Sequence, residues 1–452
     1  MSEVDLELTG RAVEIALAAG AGDAEAYAER SSGTEVRVHG GEIESLTATA
    51  QRGVGVRAWI EGRAGYAYGT DLTDDGLREI GSAAAAAAKI SDRDEHAAPP
   101  VPAGEPEPLD GLRDEGLEAW DGERKAALTL AVEAAAKAAD PRVRGVEQAV
   151  YADSQELVAV SSSAGIAASY EATSCFSYAY ALASDSEGTR TGLGFGLGRG
   201  PDELDPEAIG AEAAERSTSL LGASKPPSCA CPVVFDQAVA ASFAGTIASM
   251  LGADAAQRGR SPFADRLGEE IASPALQLRD DGRDPAGLRS APVDGEGLPH
   301  RVTDLIAGGR LKTYLHDSYT ARRAGTESTG SAGRGSYRAP PSVSASNLVV
   351  EDGEDDREAL LAAAGEGILV QEVVGLHSGV NPVSGTFSVG ASGHRISDGS
   401  VAEPLAEFTI AGELVSMLTA VQRVGRESRW VPFGGSVRTP LLLLAELTVS
   451  GA

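Results

Sequence analysis

Six histidines, three cysteines and two glycine-flanked serines are the side chains of this sequence that could do chemistry. Hydrolytic zinc needs convergent His, Cys or carboxylate ligands, usually two His from one helix with a neighbouring Glu to handle the water proton. His39, His96, His300, His316, His377 and His394 are scattered, and none is followed by Glu, so no such helix is encoded. A serine nucleophile needs the strained G-x-S-x-G turn, whereas Ser328 and Ser388 both sit in G-x-x-S-x-G, one residue too long. Cys229-Ala-Cys231 could be half of a thiolate site, but Cys175 is the only other cysteine and no C-x-x-C occurs; buried small hydrophobes are expected. His316 beside Asp317 could form an acid/base pair, although adjacent residues point apart on a strand or a helix.

The run from Gly192 to Gly200 places glycine at every second position. That is strand period, so all of these glycines face one side, and close packing against a helix is expected in place of a phosphate loop. No G-x-x-x-x-G-K-[ST] sequence exists.

The elements that must position these residues follow from periodicity and breakers. Residues 7–19 and 72–90 read as helices around strands at 24–30, 35–38, 42–51 and 53–59. The order recurs, with helices at 125–139 and 206–221 around strands at 143–151, 157–162, 167–182 and 188–197. Between the two units, 1–90 and 124–222, five prolines among acids make residues 91–112 a linker, expected as an exposed crossover. Beyond Pro226-Pro227 a short strand feeds a helix at 237–257, and the remainder is glycine-rich and strand-like. The fold class is therefore α+β: an N-terminal region, 1–225, of duplicated helix-and-antiparallel-sheet units, followed by a β-rich C-terminal domain, 226–452. Along 237–257, Val239, Phe243, Ile247 and Leu251 make a core stripe. The small residues on its other faces allow close approach, so the helix can wall a groove without doing chemistry.

The chain has 452 residues and a formal charge of −29, with 42% hydrophobic and 23% charged residues, which suits a globular protein of two or three domains. Such a charge repels phosphate backbones and anionic lipid, so nucleic acid and membrane partners are not expected. The acidic start lacks a secretory n-region, no apolar stretch spans a bilayer, and the cysteines cannot make a disulfide framework. A soluble cytoplasmic protein is expected.

Several spaced motifs, in order along nearly the whole chain, resemble the TldD/PmbA family of metalloproteases. They are Asp317, Tyr319-Thr-Ala-Arg322, Gly325, Ser328-Thr-Gly330 and Ala332-Gly-Arg334, then Gly379, Asn381, Gly385, Phe387-Ser388 and Gly390-Ala391, then Thr409-Ile-Ala-Gly412 and the ending Thr439 to Gly451. Within that family the TldD branch carries an H-E-x-x-x-H helix and a late cysteine as zinc ligands, and the TldE (PmbA) branch lacks them. This chain resembles TldE: neither His nor Glu stands at 244–249, where the zinc helix falls, and no cysteine follows Cys231. Thr386 stands where the family commonly has an acidic residue, and Glu413 where Asn is common.

The resemblance implies a cytoplasmic TldD/TldE heterodimer that degrades unfolded peptides or removes leader segments during peptide maturation. It implies no catalytic residue, metal ligand or cofactor on this chain, zinc on the TldD-type partner, and an extended peptide substrate held as a strand. Motif density makes His377, Ser378, Asn381, Phe387 and Ser388 the peptide-groove candidates, although the glycines and Asn381 also suit tight β-turns. Two other readings stay open: a stand-alone peptide-binding protein without proteolysis, and a hydrolase with an atypical site using His316, Asp317 or His377.

Overall fold

The computed structural model describes residues 2–186, 188–433 and 435–452. The N-terminal region contains α1 (Ser2–Ala18), β1 (Asp23–His39), β2 (Glu42–Ile60), β3 (Arg63–Gly69) and α2 (Asp74–Ile90), then α3 (Gly122–Ala139), β4 (Val143–Ser162), β5 (Ala167–Ser184), β6 (Thr189–Gly198) and α4 (Pro206–Thr218). The repeated order is the expected duplication. Its two halves join into one antiparallel sheet, ordered β3-β2-β1-β4-β5-β6, because β1 pairs with β4 at the centre.

The sequence reads β1 and β4 each as two shorter strands, with a break at 31–34 in the first. In the fold both run straight through. Gly33 lies against the Asp153 carbonyl, the Thr34 amide donates to the Asp153 carboxylate at 3.1 Å, and Lys125 reaches that carboxylate at 2.7 Å. These partners carry the strand through the break.

Strand alternation divides the sheet's duties. Ala24, Ala26, Ala28, Val54, Val56 and Ala58 face α1 and α2 and make an alanine-rich core with Leu77 and Ile80. On β6, a Cβ at Gly192 or Gly194 would run into the backbone of Ala213, Ser217 and Ile209, so the glycine period exists to seat α4, as its spacing predicts.

The C-terminal domain begins with β7 (Cys229–Phe235), α5 (Gln237–Met250) and α6 (Ala253–Gln257). It continues with β8 (Leu278–Asp281), β9 (Val302–Ala307), β10 (Arg310–Leu311), α7 (Ser318–Ala324), β11 (Ala332–Gly333), β12 (Ser342–Val343), β13 (Asn347–Val350) and α8 (Arg357–Ala364). The last elements are β14 (Gly367–Val374), α9 (Leu376–Gly379), β15 (Thr386–Ser397), β16 (Ser400–Glu413), α10 (Leu414–Thr419), β17 (Val421–Val424), β18 (Arg429–Val431), β19 (Ser436–Thr439) and β20 (Leu442–Ser450).

One sheet runs β10-β9-β8-β13-β19-β18; another runs β16-β15-β14-β7-β20-β17 and closes into a barrel, because β16 also pairs with β20. Helix α5 lies between the two sheets and fills the main core with Val239, Phe243 and Ile247.

One expectation is corrected here. The helix expected over 237–257 ends at Met250, because Leu251 is buried, its carbonyl accepts from the Leu315 amide, and the Ala253 amide donates to the Leu315 carbonyl. Ala253 then starts a separate short helix from an extended Gly252. The linker 91–112 runs mostly along the surface and is held there: Arg322 donates to the carbonyls of His96, Ala98 and Pro99, Arg283 to those of Glu107 and Pro108, and Tyr319 to the Asp94 carboxylate at 2.7 Å. Among the described residues no helix is long and apolar enough to cross a membrane.

Candidate functional site

Asp236 caps α5 by accepting from the Ala238 amide at 3.0 Å, and this fixes which face of the helix meets the core. Phe243 stacks on Phe235 with ring centroids 5.2 Å apart and meets Phe387 edge-on at 5.2 Å. The remaining face carries Ser242, Gly245, Thr246 and Ser249. Their hydroxyls turn back onto the helix: Ser242 donates to the Ala238 carbonyl, Thr246 to Ser242 and Ser249 to Thr246, at 2.8, 2.9 and 2.7 Å. What remains is a smooth small-residue wall whose polar atoms are already satisfied.

Gly245 and Ser249 of that wall, with Ala248, line a cavity of about 240 Å3, bounded on its far side by Val343, Ser344, Ala345 and Ser346. Arg289, Ser344, Ala345 and Ser346 also line a second cavity of about 540 Å3, which extends to Tyr27, Glu156 and Tyr170 on the N-terminal sheet. The two cavities adjoin along Arg289 and the segment 344–346, and together this trough reaches from α5 to the sheet. Asp280 holds that segment by accepting from the Ser346 amide and hydroxyl at 2.9 and 2.8 Å. Burial pushes the Asp280 carboxyl up to about 7, against the hydrogen bonds from Ser346.

A buried charged cluster, which meets the trough through Arg334 and Tyr27, joins the two regions. Arg57 on β2 bonds to Glu25 at 2.7 Å and to Glu296 at 2.8 Å, and Arg334 pairs with Glu25 and lies 4.6 Å over the Tyr27 ring. Gly53 and Gly55 make room for Tyr337, whose amide donates to Glu29 at 2.9 Å. Burial pushes Glu296 up, but Arg57 and the Ser318 hydrogen bonds outweigh it and hold the carboxyl below its ordinary value. Burial and the neighbouring Glu296 raise Asp294, whose oxygens accept from the amides of Glu296, Leu298 and Ala332. Burial lowers His300 to about 4, so it is neutral at pH 7.

The residues chosen from the sequence lie elsewhere. His377 and Ser378 are exposed on α9, and the Asn381 carboxamide accepts from the amides of Val383 and Ser384 at 2.9 and 3.1 Å, shaping the turn into β15. Ser388 is exposed on β15, while Phe387 is buried against Phe243 and presents no surface to a peptide. The structure thus gathers His377, Ser378, Asn381 and Ser388 around one end of the barrel, away from the residues that line the trough.

Asp317 is the cap of α7, accepting from the amide and hydroxyl of Thr320 at 2.7 Å each, and is not paired with His316. Burial lowers His316, and its Nδ1 has no partner. The trough residues Arg289 and 344–346 carry no motif of their own; the Ser-x-Ser alternation near Asn347 was the one signal available.

The family's zinc can be tested against the donors present. Helix α5 offers only Gly245, Ala248 and Ser249 toward the trough, which do not fit a zinc ion. Among the described residues no three His, Cys, Asp or Glu side chains are grouped to hold a metal.

A long, duplicated antiparallel sheet clamped to a closed barrel, with a helix walling a trough between them, defines the scaffold of a peptidase family. Consecutive segments match that family's profiles: the PmbA/TldA metallopeptidase domain 1 over residues 24–90, the central domain over 115–221 and the C-terminal domain over 228–451. The chain belongs to the PmbA/TldD metallopeptidase family. It is 26% identical to Metalloprotease PmbA of Escherichia coli O157:H7 over 450 residues, 96% of this chain and 94% of that one. A putative modulator of a DNA gyrase from Thermotoga maritima MSB8 superposes with TM-score 0.89 at 26% identity, covering 98% and 99% of the two chains. TldE from Thermococcus kodakarensis shares the fold with TM-score 0.89 at 24% identity, over 98% of this chain and 100% of that one.

Proposed function

We propose that this chain is the non-catalytic, TldE-type subunit of a cytoplasmic heterodimeric zinc metallopeptidase, whose TldD-type partner carries the zinc. The observation that carries the reading is α5. It stands where the family resemblance puts the zinc helix, and its trough-facing residues are too short and too weakly basic to ligate. The family supplies the reaction class, hydrolysis of peptides, and this chain supplies a wall and a roof for the substrate.

In this reading the trough between α5 and the segment 342–346 takes an extended peptide. Backbone hydrogen bonds to a strand-like edge give affinity with little sequence preference, which suits unfolded peptides or the leader segments of modified precursors. The small residues of α5 leave space for substrate side chains of any size. The net charge of −29 steers cationic and neutral peptides in faster than acidic ones.

The test is co-expression with a TldD-type chain from the same cell. Stable association, with peptide cleavage by the pair and none by either chain alone, is the expected outcome. Cleavage by the lone chain, or failure to associate with any such partner, overturns the proposal.

A further inference from the structure

Cys229 and Cys231 have no part in the trough. Being two apart on β7, they project from the same face of the strand. Contrary to the expectation of two buried small hydrophobes, Cys229 is exposed and Cys231 half-buried, because this end of β7 lies at the rim of the barrel. The Cys229 thiol donates to the Cys231 sulfur, with the two sulfurs 3.3 Å apart. The backbone beneath them is fixed by pairing with Val449 and Leu447 of β20.

Two thiols this close can close a disulfide or share a third atom, and strand geometry decides between them. A disulfide needs its Cβ atoms about 3.5–4.5 Å apart. An extended strand advances roughly 6.6 Å over two residues, so a direct S–S bond would buckle β7 out of its ladder with β20. One atom placed between the sulfurs spans the gap by side-chain rotation alone.

The donor set then selects the atom. Two soft thiolates are present, and among the described residues no further His, Cys, Asp or Glu joins them to make a larger ligand group. Zinc, which takes four ligands, is not satisfied by two. A soft monovalent cation prefers thiolates and accepts linear coordination by two of them.

We propose that Cys229 and Cys231 form a two-thiolate site for a soft monovalent cation of the copper(I) class. On binding, both S–H bonds break, two sulfur–metal bonds form, both protons pass to solvent and the metal keeps its oxidation state. Burial, then the neighbouring Cys229, pushes the Cys231 thiol up to about 12; Arg395 on β15 opposes this and Glu446 on β20 adds to it.

The experiment titrates the reduced full-length chain, without oxygen, with copper(I) held by a chromophoric competitor. The wild type is expected to withdraw one ion per chain, Cys175→Ser to withdraw the same, and Cys229→Ser and Cys231→Ser to withdraw none, all with unchanged circular dichroism. X-ray absorption of the bound copper should give two sulfur neighbours. No uptake by the wild type, or equal uptake by the Cys229 and Cys231 variants, overturns the proposal. So does an internal disulfide that forms in air and leaves the fold unchanged.

Discussion

Arg57 and Glu296, from strand β2 and from the loop preceding β9, meet at 2.8 Å with 13% and 2% of their side chains exposed. The same guanidinium holds Glu25 at 2.7 Å, so one buried cation ties the N-terminal sheet to the domain that carries the trough. Removing it leaves buried Glu296 without its countercharge and leaves Glu25 with Arg334 alone. Arg57→Met should therefore destabilise the chain by about 3–5 kcal/mol. Urea unfolding checks this, and Glu296→Gln, which leaves Arg57 its Glu25 partner, should cost less. Equal stability of Arg57→Met and the wild type would remove the pair from the account.

The roof of the trough should carry a pH signature. Asp280 has a folded-state pKa raised to about 7, above its unfolded value, so the folded chain binds more protons than the unfolded chain in the window between them. Stability from this group is fully present below roughly pH 4 and declines as pH rises toward 7, by up to about 1.4 kcal/mol per unit. Asp280→Asn keeps an acceptor for Ser346 and should flatten the decline in an unfolding series from pH 4 to 8.

The glycine period of β6 makes a packing prediction. Gly194→Ala would drive a methyl into the backbone of Ile209 and Ala213, neither of which can move without shifting α4. A loss of about 1–3 kcal/mol is expected in thermal unfolding. Gly145→Ala, with nothing within 4 Å of the added carbon, is the control and should be near neutral.

The trough itself is tested by filling it. Ser249 is exposed on α5 and lines the cavity, and its hydroxyl serves only the Thr246 carbonyl. Ser249→Trp should leave fold and partner association intact while cutting peptide cleavage by the complex at least tenfold, about 1.4 kcal/mol of binding. Unchanged cleavage would place the peptide elsewhere. Substitution of exposed His377 or Ser388, outside the trough, should have little effect on the same assay.

Much of the fold was legible because it rests on periodicity. The alternating glycines of β6 announced the helix above them, and the order of helices and strands announced the duplication. What was not legible depends on partners distant in sequence. Gly33 falls between two short strands until Asp153 is placed beside it, Leu251 reads as helix until its carbonyl meets the Leu315 amide, and the contacts of the proline linker appear only when Arg322 collects its carbonyls.

The trough was not legible for the same reason. Motif density pointed to Asn381 and Phe387, whose roles are a turn and a core contact. The trough is built from Ser344, Ala345 and Ser346, ordinary residues that matter only for what stands opposite them. Thr386 and Glu413, separate departures from the family pattern in the sequence, prove to be register partners across β15 and β16.

The central claim is that this chain supports a zinc site it does not hold, and metal content tests it most directly. Elemental mass spectrometry should find no zinc on the chain purified alone and one zinc per heterodimer after co-expression with a TldD-type partner. Stoichiometric zinc on the lone chain would contradict the account and require a ligand set assembled from its six histidines.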